Sequence, residues 1–296
     1  MSRRIFTAFL AALLALSLTG CGSEKAPDAP QPPSDSPETF QAVYSNLADE
    51  GSQTEVTAAL EARGVSTEQT DTLLEWTKDF NSRVTQPPLP EGFVPMEGNY
   101  VDYSQLLFDY KELPDGELFP EVNCRLTAFL LMRGHIQTNG SQTQPDTYLM
   151  FDVDAVDTYP EYQLSPEERS NFITLFNGVP LEGAATQEEH LAKIQQAWQD
   201  RGIQVDTSTG LSLIQVYLHS TFDDLRFVGH TGVLLEEPNG LLFVEKFGPA
   251  APFQATRFQD RAQLADYLLA RPDLYGEETE LPPLLLENGA VMDTAA

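Results

Sequence analysis

The chain has 296 residues, with 45 Asp and Glu against 17 Lys and Arg, a formal net charge of −28 at pH 7. That imbalance excludes nucleic-acid binding, because phosphates would be repelled rather than neutralised, and it argues against docking on anionic lipid or wall polymer through a basic patch. With two cysteines and four histidines, a structural zinc site is out of reach, and neither a metal nor a cofactor is expected.

The N-terminus reads as an export signal. Arg3 and Arg4 precede the apolar run Ile5 to Leu18, which ends in Leu18-Thr19-Gly20-Cys21. The run is short for a spanning helix and stops at a small-residue processing site, so residues 1–20 are expected to be a lipoprotein signal. Cys21 then becomes the first residue and carries acyl chains, several of which together give stable membrane attachment. Residues 21–39 are mostly Pro, Ser, Asp and Glu and are expected to be a disordered tether. The expected place of the protein is extracytoplasmic, anchored to a bacterial cell membrane by lipidated Cys21.

The rest is expected to fold as an N-terminal helical segment, 40–86, packed as one unit with an α+β domain over 87–296. Gln53 to Arg63 and Thr67 to Val84 read as helices, broken at Gly64 with Ser66 or Thr67 as a cap. Gln86-Pro87-Pro88-Leu89-Pro90 starts a connector, and Val101 to Tyr110 fits a short helix or a strand equally well. Cys124 to His135 reads as a central apolar helix capped by Asn123. Tyr148 to Val153 reads as a buried strand. Ser165-Pro166 opens a further helix, and Thr186 to Arg201 is an amphipathic helix closed by Gly202. Leu211 to Leu218, Val228 to Leu235 and Leu241 to Phe247 read as strands, the last two joined by a hairpin around Asn239-Gly240. Arg261 to Leu269 is a last helix. Helices come early and strands late, which fits the α+β class.

Cys124 is the cysteine left once Cys21 is assigned to the signal. A thiol in a helix first turn gains from the helix dipole, and an imidazolium beside it lowers its pKa further. His230, between Gly229 and Thr231 on a strand, is the candidate base. Glu245 lies inside the apolar run of the next strand, where an acid needs a partner, and is the candidate to orient the imidazole. First-turn amides with Asn123 nearby offer support for an oxyanion. Two readings stay open here. Cys124 also fits an inert core thiol, and His230 a structural histidine. His219 is an alternative base at a strand tip. His135 lies too far along the helix axis, and His190 sits on a polar helix as a solvated residue. Asp152, Asp154 and Asp157 are closely spaced but lack the glycine and distal glutamate of a calcium loop.

Several segments resemble bacterial surface lipoproteins of domain-of-unknown-function family 4300. They include Tyr44-Ser45-Asn46-Leu47, Asn123-Cys124-Arg125-Leu126-Thr127-Ala128-Phe129, Trp198-Gln199-Asp200-Arg201-Gly202-Ile203 and Val228-Gly229-His230-Thr231-Gly232-Val233. Leu242-Phe243-Val244-Glu245-Lys246 and Leu264-Ala265-Asp266-Tyr267-Leu268 continue the series in order. That family implies an identity but no activity. The Asn-Cys helix start, followed by a histidine strand and a polar residue on the next strand, also resembles the NlpC-type papain-like cysteine peptidases. This second resemblance implies a papain-like core with an antiparallel sheet and a helical insertion over Asn139 to Leu211. It implies Cys124 as nucleophile, His230 as base and Glu245 as orienting residue, where His, Asn or Gln is more usual. The function expected on this basis is a cysteine hydrolase or amidase acting on peptide or amide bonds of the envelope, with peptidoglycan peptides within reach. The alternatives are a catalytically inactive lipoprotein that binds a peptide or partner, and an acyl transferase.

Overall fold

The first ordered element begins three residues into the described chain. The computed structural model describes residues 40–276 and 279–295, so Cys21, the signal and the tether lie outside the described residues. Strand β1 (Val43–Ser45) leads into helices α1 (Glu50–Glu61) and α2 (Thr67–Arg83). Asp49 caps α1, and Ser66 forms a reciprocal capping box with Gln69 on α2, which places two helix starts where side-chain acceptors meet free amides. α2 then buries Leu73, Thr77 and Phe80 along one face. The connector carries the short strands β2 (Val84–Gln86), β3 (Val94–Pro95) and β4 (Leu107–Phe108). β4 pairs with β2, which settles part of the ambiguous Val101–Tyr110 stretch as strand.

The middle of the chain is helical: α3 (Cys124–Met132), strand β5 (Ile136–Gln137), α4 (Met150–Thr158), α5 (Pro166–Phe176), strand β6 (Val179–Pro180) and α6 (Gln187–Asp200). Capping boxes at Ser165–Glu168 and Thr186–Glu189 start α5 and α6. The strand expected over Tyr148–Val153 is instead the entry to α4. Asp146 Oδ1 accepts from the amides of Tyr148 and Leu149 at 2.9 and 3.0 Å, which turns the chain there. Leu149, Val153 and Val156 are then buried at helical spacing, a period longer than the six-residue window that suggested a strand.

After β7 (Gln204–Val205), which pairs with β5, come the long strands β8 (Leu211–Ser220), β9 (Leu225–Glu237), β10 (Gly240–Lys246) and β11 (Phe253–Phe258). Helix α7 (Arg261–Ala270) and strands β12 (Leu284–Glu287) and β13 (Ala290–Val291) close the described chain. Nine strands form one sheet in the order β13-β12-β8-β9-β10-β11-β1-β3, with β6 beside β9, and every pairing is antiparallel. The fold is α+β. The β9–β10 hairpin turns through Pro238 and Asn239, with Gly240 already opposite Glu237.

β1 sits against β11, with Tyr44 opposite Thr256. The stretch 40–86 is therefore not only the helical segment its sequence suggests, since its first strand is part of the main sheet. From Phe40 onward the chain forms one compact unit. The sheet separates two apolar clusters. One joins Leu213, Val233 and Val244 to Leu126 and Phe129 of α3 and Phe80 of α2. The other joins Val216, Leu234 and Phe243 to Leu264, Tyr267 and Leu268 of α7. Among the described residues no helix is long and apolar enough to cross a membrane.

Candidate active site

Cys124 is the first residue of α3 because Asn123 stops the preceding chain in an extended conformation and caps the helix. Asn123 Oδ1 accepts from the Leu126 amide at 3.1 Å. Its Nδ2 donates to Asp152 Oδ1 at 2.6 Å. Arg125 grips the same carboxylate, with Nε and Nη2 donating at 3.1 and 2.7 Å, and its Nη1 donates to the Val228 carbonyl at 2.8 Å. Both neighbours of Cys124 are thus tied to α4, and one is tied to the strand that carries His230. The Asn123 side chain serves as a brace for this turn, and its amide is already committed to Asp152.

His230 reaches its place through a bulge. Val216 pairs with His230 but Tyr217 pairs with Val228, so Gly229 is the extra residue on β9. Val228 packs in the α3-side cluster, whereas Leu234 packs in the α7-side cluster. The bulge thus switches which even-numbered side chains face which layer. A Cβ on Gly229 would collide with Leu218, and one on Gly232 with the Phe243 ring, so both glycines flanking this turn of strand are required by space.

Glu245 on β10 meets the imidazole, with His230 Nε2 2.5 Å from Glu245 Oε2. Arg271, just past α7, donates from Nη1 to the same oxygen at 2.9 Å, and Tyr267 donates to Oε1 at 2.5 Å. Behind Tyr267 the donors run head to tail. Asn46 Nδ2 donates to the Tyr103 hydroxyl at 2.6 Å, and Tyr103 donates to Gln254 Oε1 at 2.7 Å. Gln254 Nε2 in turn donates to the Tyr267 hydroxyl at 2.8 Å. Every hydrogen in this chain points toward Glu245, which fits an ionised carboxylate that only accepts. An ionised acceptor at Nε2 places a proton there and leaves Nδ1 as the ring nitrogen that Glu245 does not engage.

The charges agree. Burial alone would push the Cys124 thiol up, but a hydrogen bond to His230, the charge of His230 and that of Arg125 more than reverse this and leave it lowered. Burial and Arg271 would lower His230, and Glu245 and the thiol raise it above its ordinary value. Burial would raise Glu245, yet His230 and Arg271 hold it below the usual carboxylate range. These shifts run in the direction of a thiolate facing an imidazolium that rests on a carboxylate. A second buried cation stands nearby. Lys246 donates to the carbonyls of Gly248, Pro249 and Ala251 and lies 3.7 Å over the Phe80 ring, and burial brings its pKa down to about 7.

A family model for a domain of unknown function, DUF4300, matches residues 43–292. The chain belongs to the DUF4300 family. No curated protein and no solved structure matches it. The match runs from β1 to just beyond β13, so the N-terminal strand and every residue of the site fall within the DUF4300 domain.

The other candidate residues of this DUF4300 chain lie elsewhere. His190 is buried rather than solvated, because its Nδ1 accepts from Arg226 Nε at 3.1 Å and its ring meets His219 edge-on at 4.8 Å. His219 accepts at Nδ1 from the Leu281 amide at 3.0 Å. His135 is buried beyond the C-terminal end of α3. Asp152 is engaged by Arg125 and Asp157 by Arg169, and no group of three metal-binding side chains occurs among the described residues. Sequence reasoning missed Arg271, Tyr267, Gln254, Tyr103 and Asn46. The cue available was the Asn-Leu and Ala-Asp-Tyr segments, polar residues set beside apolar runs, but nothing local tied them to Glu245.

Proposed function

We propose that this protein is a cysteine hydrolase or amidase with a papain-like core, tethered outside a bacterial cell membrane through lipidated Cys21 and acting on peptide or amide bonds of the envelope. The observation that carries the reading is His230 set between the Cys124 thiol, to which it is hydrogen-bonded, and the buried Glu245 carboxylate, 2.5 Å from its Nε2. The thiolate of Cys124 attacks the substrate carbonyl, forming a C–S bond and an oxyanion. The Cys124 and Arg125 amides, which the Asn123 cap does not use, are placed to receive that oxyanion at the positive end of α3. His230 then gives its Nδ1 proton to the departing amine as the C–N bond breaks. In the second half, His230 takes a proton from water, the water oxygen attacks the thioester, and the thiolate leaves. Peptide stems of the wall are the substrates within reach of a lipid anchor.

A second reading has its own observation. Cys124 and His230 are only 8 % and 2 % exposed, so a substrate carbonyl needs the cleft to open. A closed site of this kind also fits a lipoprotein that binds a peptide or partner without turning it over.

Iodoacetamide alkylation of Cys124 against pH separates the two. The enzyme reading expects rapid labelling well below the ordinary thiol pKa of about 8.5, lost in His230→Ala. An unreactive thiol, or one that titrates normally in both proteins, rejects it. Product analysis with wall fragments, with and without an added amine, then divides hydrolase from transferase.

A further inference from the structure

We propose that the cleft between Pro87–Pro90 and Val101–Leu106 is a subsite that accepts a peptide unit, amide N–H first, onto Asn46 Oδ1. Calling that unit part of the substrate rests on the reading of Cys124 as nucleophile; the binding site itself does not.

The cleft holds about 130 Å³ and is walled by Tyr44, Leu89, Val101 and Leu106, with Asn46 and Tyr103 as its buried or half-buried hydrogen-bonding residues and Asp102 and Gln105 exposed at its edge. At roughly 30 Å³ per water that is room for about four waters, a space suited to one peptide unit with a small side chain. Asn46 is fully buried, and its Nδ2 donates to the Tyr103 hydroxyl at 2.6 Å and to the Phe253 carbonyl at 3.0 Å. A carbonyl only accepts, so this second bond fixes which end of the amide is nitrogen. Oδ1 is then left buried with no partner. Next to it, Asn81 Nδ2 donates to the Asn46 carbonyl at 2.9 Å, and Asn81 Oδ1 is likewise buried and unpartnered. Buried acceptors without donors are costly and rare. The buried acceptor that lines the cleft is the neutral amide oxygen of Asn46, whereas Asp102 lines it as an exposed carboxylate that already accepts from the Ser104 amide at 2.8 Å, so the buried end suits a neutral N–H.

The position has a consequence for the thiol. Tyr103 belongs both to the cleft and to the donor chain that ends on Glu245. A donor arriving at Asn46 Oδ1 polarises the Asn46 amide and strengthens its N–H bond to Tyr103, and so on along the chain to the carboxylate behind His230. A bound peptide unit would therefore be sensed at the base that activates Cys124.

The test titrates the full chain with N-acetyl-alanine N-methylamide, followed by NMR, beside the fully N-methylated compound that has no N–H. The amide is expected to show nuclear Overhauser contacts to Val101 and Tyr103, and the N-methylated compound to bind at least about tenfold more weakly. Val101→Trp fills the cleft and leaves every residue of the donor chain in place. It should abolish binding while Cys124 alkylation at about pH 6 stays at the wild-type rate. Leu89→Trp, on the opposite wall, repeats the test should the first variant fold poorly. Equal binding of the two compounds, binding that survives both fillings, or no binding at all because the cleft takes only water, overturns the subsite. An ordinary, slow thiol combined with the expected binding pattern overturns the enzyme reading and leaves the peptide site standing.

Discussion

Strand β9 carries two arginine–histidine groups, one on each side of its bulge. Before the bulge, Arg226 donates to His190 and to the carbonyls of Tyr217 and Pro282, while its Nη2 has no partner. Burial brings Arg226 down to about 10, and burial with the Arg226 charge lowers both His190 and His219. After the bulge, Arg271 is equally buried but bonds to Glu245 and Asp273, and His230 shares the Glu245 carboxylate. There the histidine is raised. The difference is a hydrogen-bonded carboxylate. An imidazole facing a guanidinium serves as a neutral acceptor that ties strands together. An imidazole backed by a carboxylate can hold a proton and pass it on, which is what a thiol partner needs.

The largest effect expected from this contrast is in stability. Arg271→Met takes a buried cation from the buried Glu245 carboxylate and unpairs the exposed Asp273, and should cost about 3–5 kcal/mol in urea unfolding. Arg226→Met removes hydrogen bonds to neutral groups and also removes a buried nitrogen that had no partner. It should cost only about 1–2 kcal/mol. Equal losses would mean that the two groups are built alike after all.

Glu245→Gln keeps the shape of the second group and gives it the electrostatics of the first. His230 then faces Arg271 without the compensating charge, so its pKa should fall and that of Cys124 should rise. The alkylation profile of Cys124 should move up by at least about one pH unit, roughly tenfold slower labelling at a fixed acidic pH. Tyr267→Phe sharpens the same point more gently. It removes one of the bonds that keep Glu245 ionised and should shift the profile in the same direction by less. A profile unmoved in Glu245→Gln would show that the carboxylate does not govern the thiol.

The same contrast explains what could be read from the sequence. Strands β8 to β10 and helices α2, α5, α6 and α7 announce themselves by apolar period and by caps such as Ser165 and Thr186, because those signals are local. Cys124, His230 and Glu245 stood out for a local reason too: each is a reactive or charged group set in an apolar run. Arg271 and Tyr267 did not, because what makes them part of the site is the packing of α7 on the sheet, and Asn46 enters only because β1 crosses to pair with β11. His190 was misread as solvated because its helix is polar, while its partner Arg226 comes from a strand far along the chain. The helix α4 was missed because six residues are too few to tell a buried strand from a helix.

The smallest effect, and the most direct probe of the contrast, is the sign of the pH dependence. His190 and His219 have folded pKa values below the ordinary value of about 6.5, so the native state binds fewer protons than the unfolded chain there. Their contribution is complete above about pH 6.5 and is lost as the pH falls below it. His230 is raised, so its contribution is complete below about pH 6.5 and is lost as the pH climbs through its folded value. Glu245 is lowered, and its share is lost only on acidification through its folded pKa, beneath the ordinary value of about 4.3. Stability should therefore be measured from about pH 5 to 8 in wild type, His190→Gln and His230→Gln. Wild type should lose ground to His190→Gln on acidification and to His230→Gln on alkalinisation, each by at most about 1.4 kcal/mol per pH unit. Slopes of the same sign would break the contrast, because they would mean that the carboxylate at Glu245 does not set His230 apart from the histidines beside Arg226.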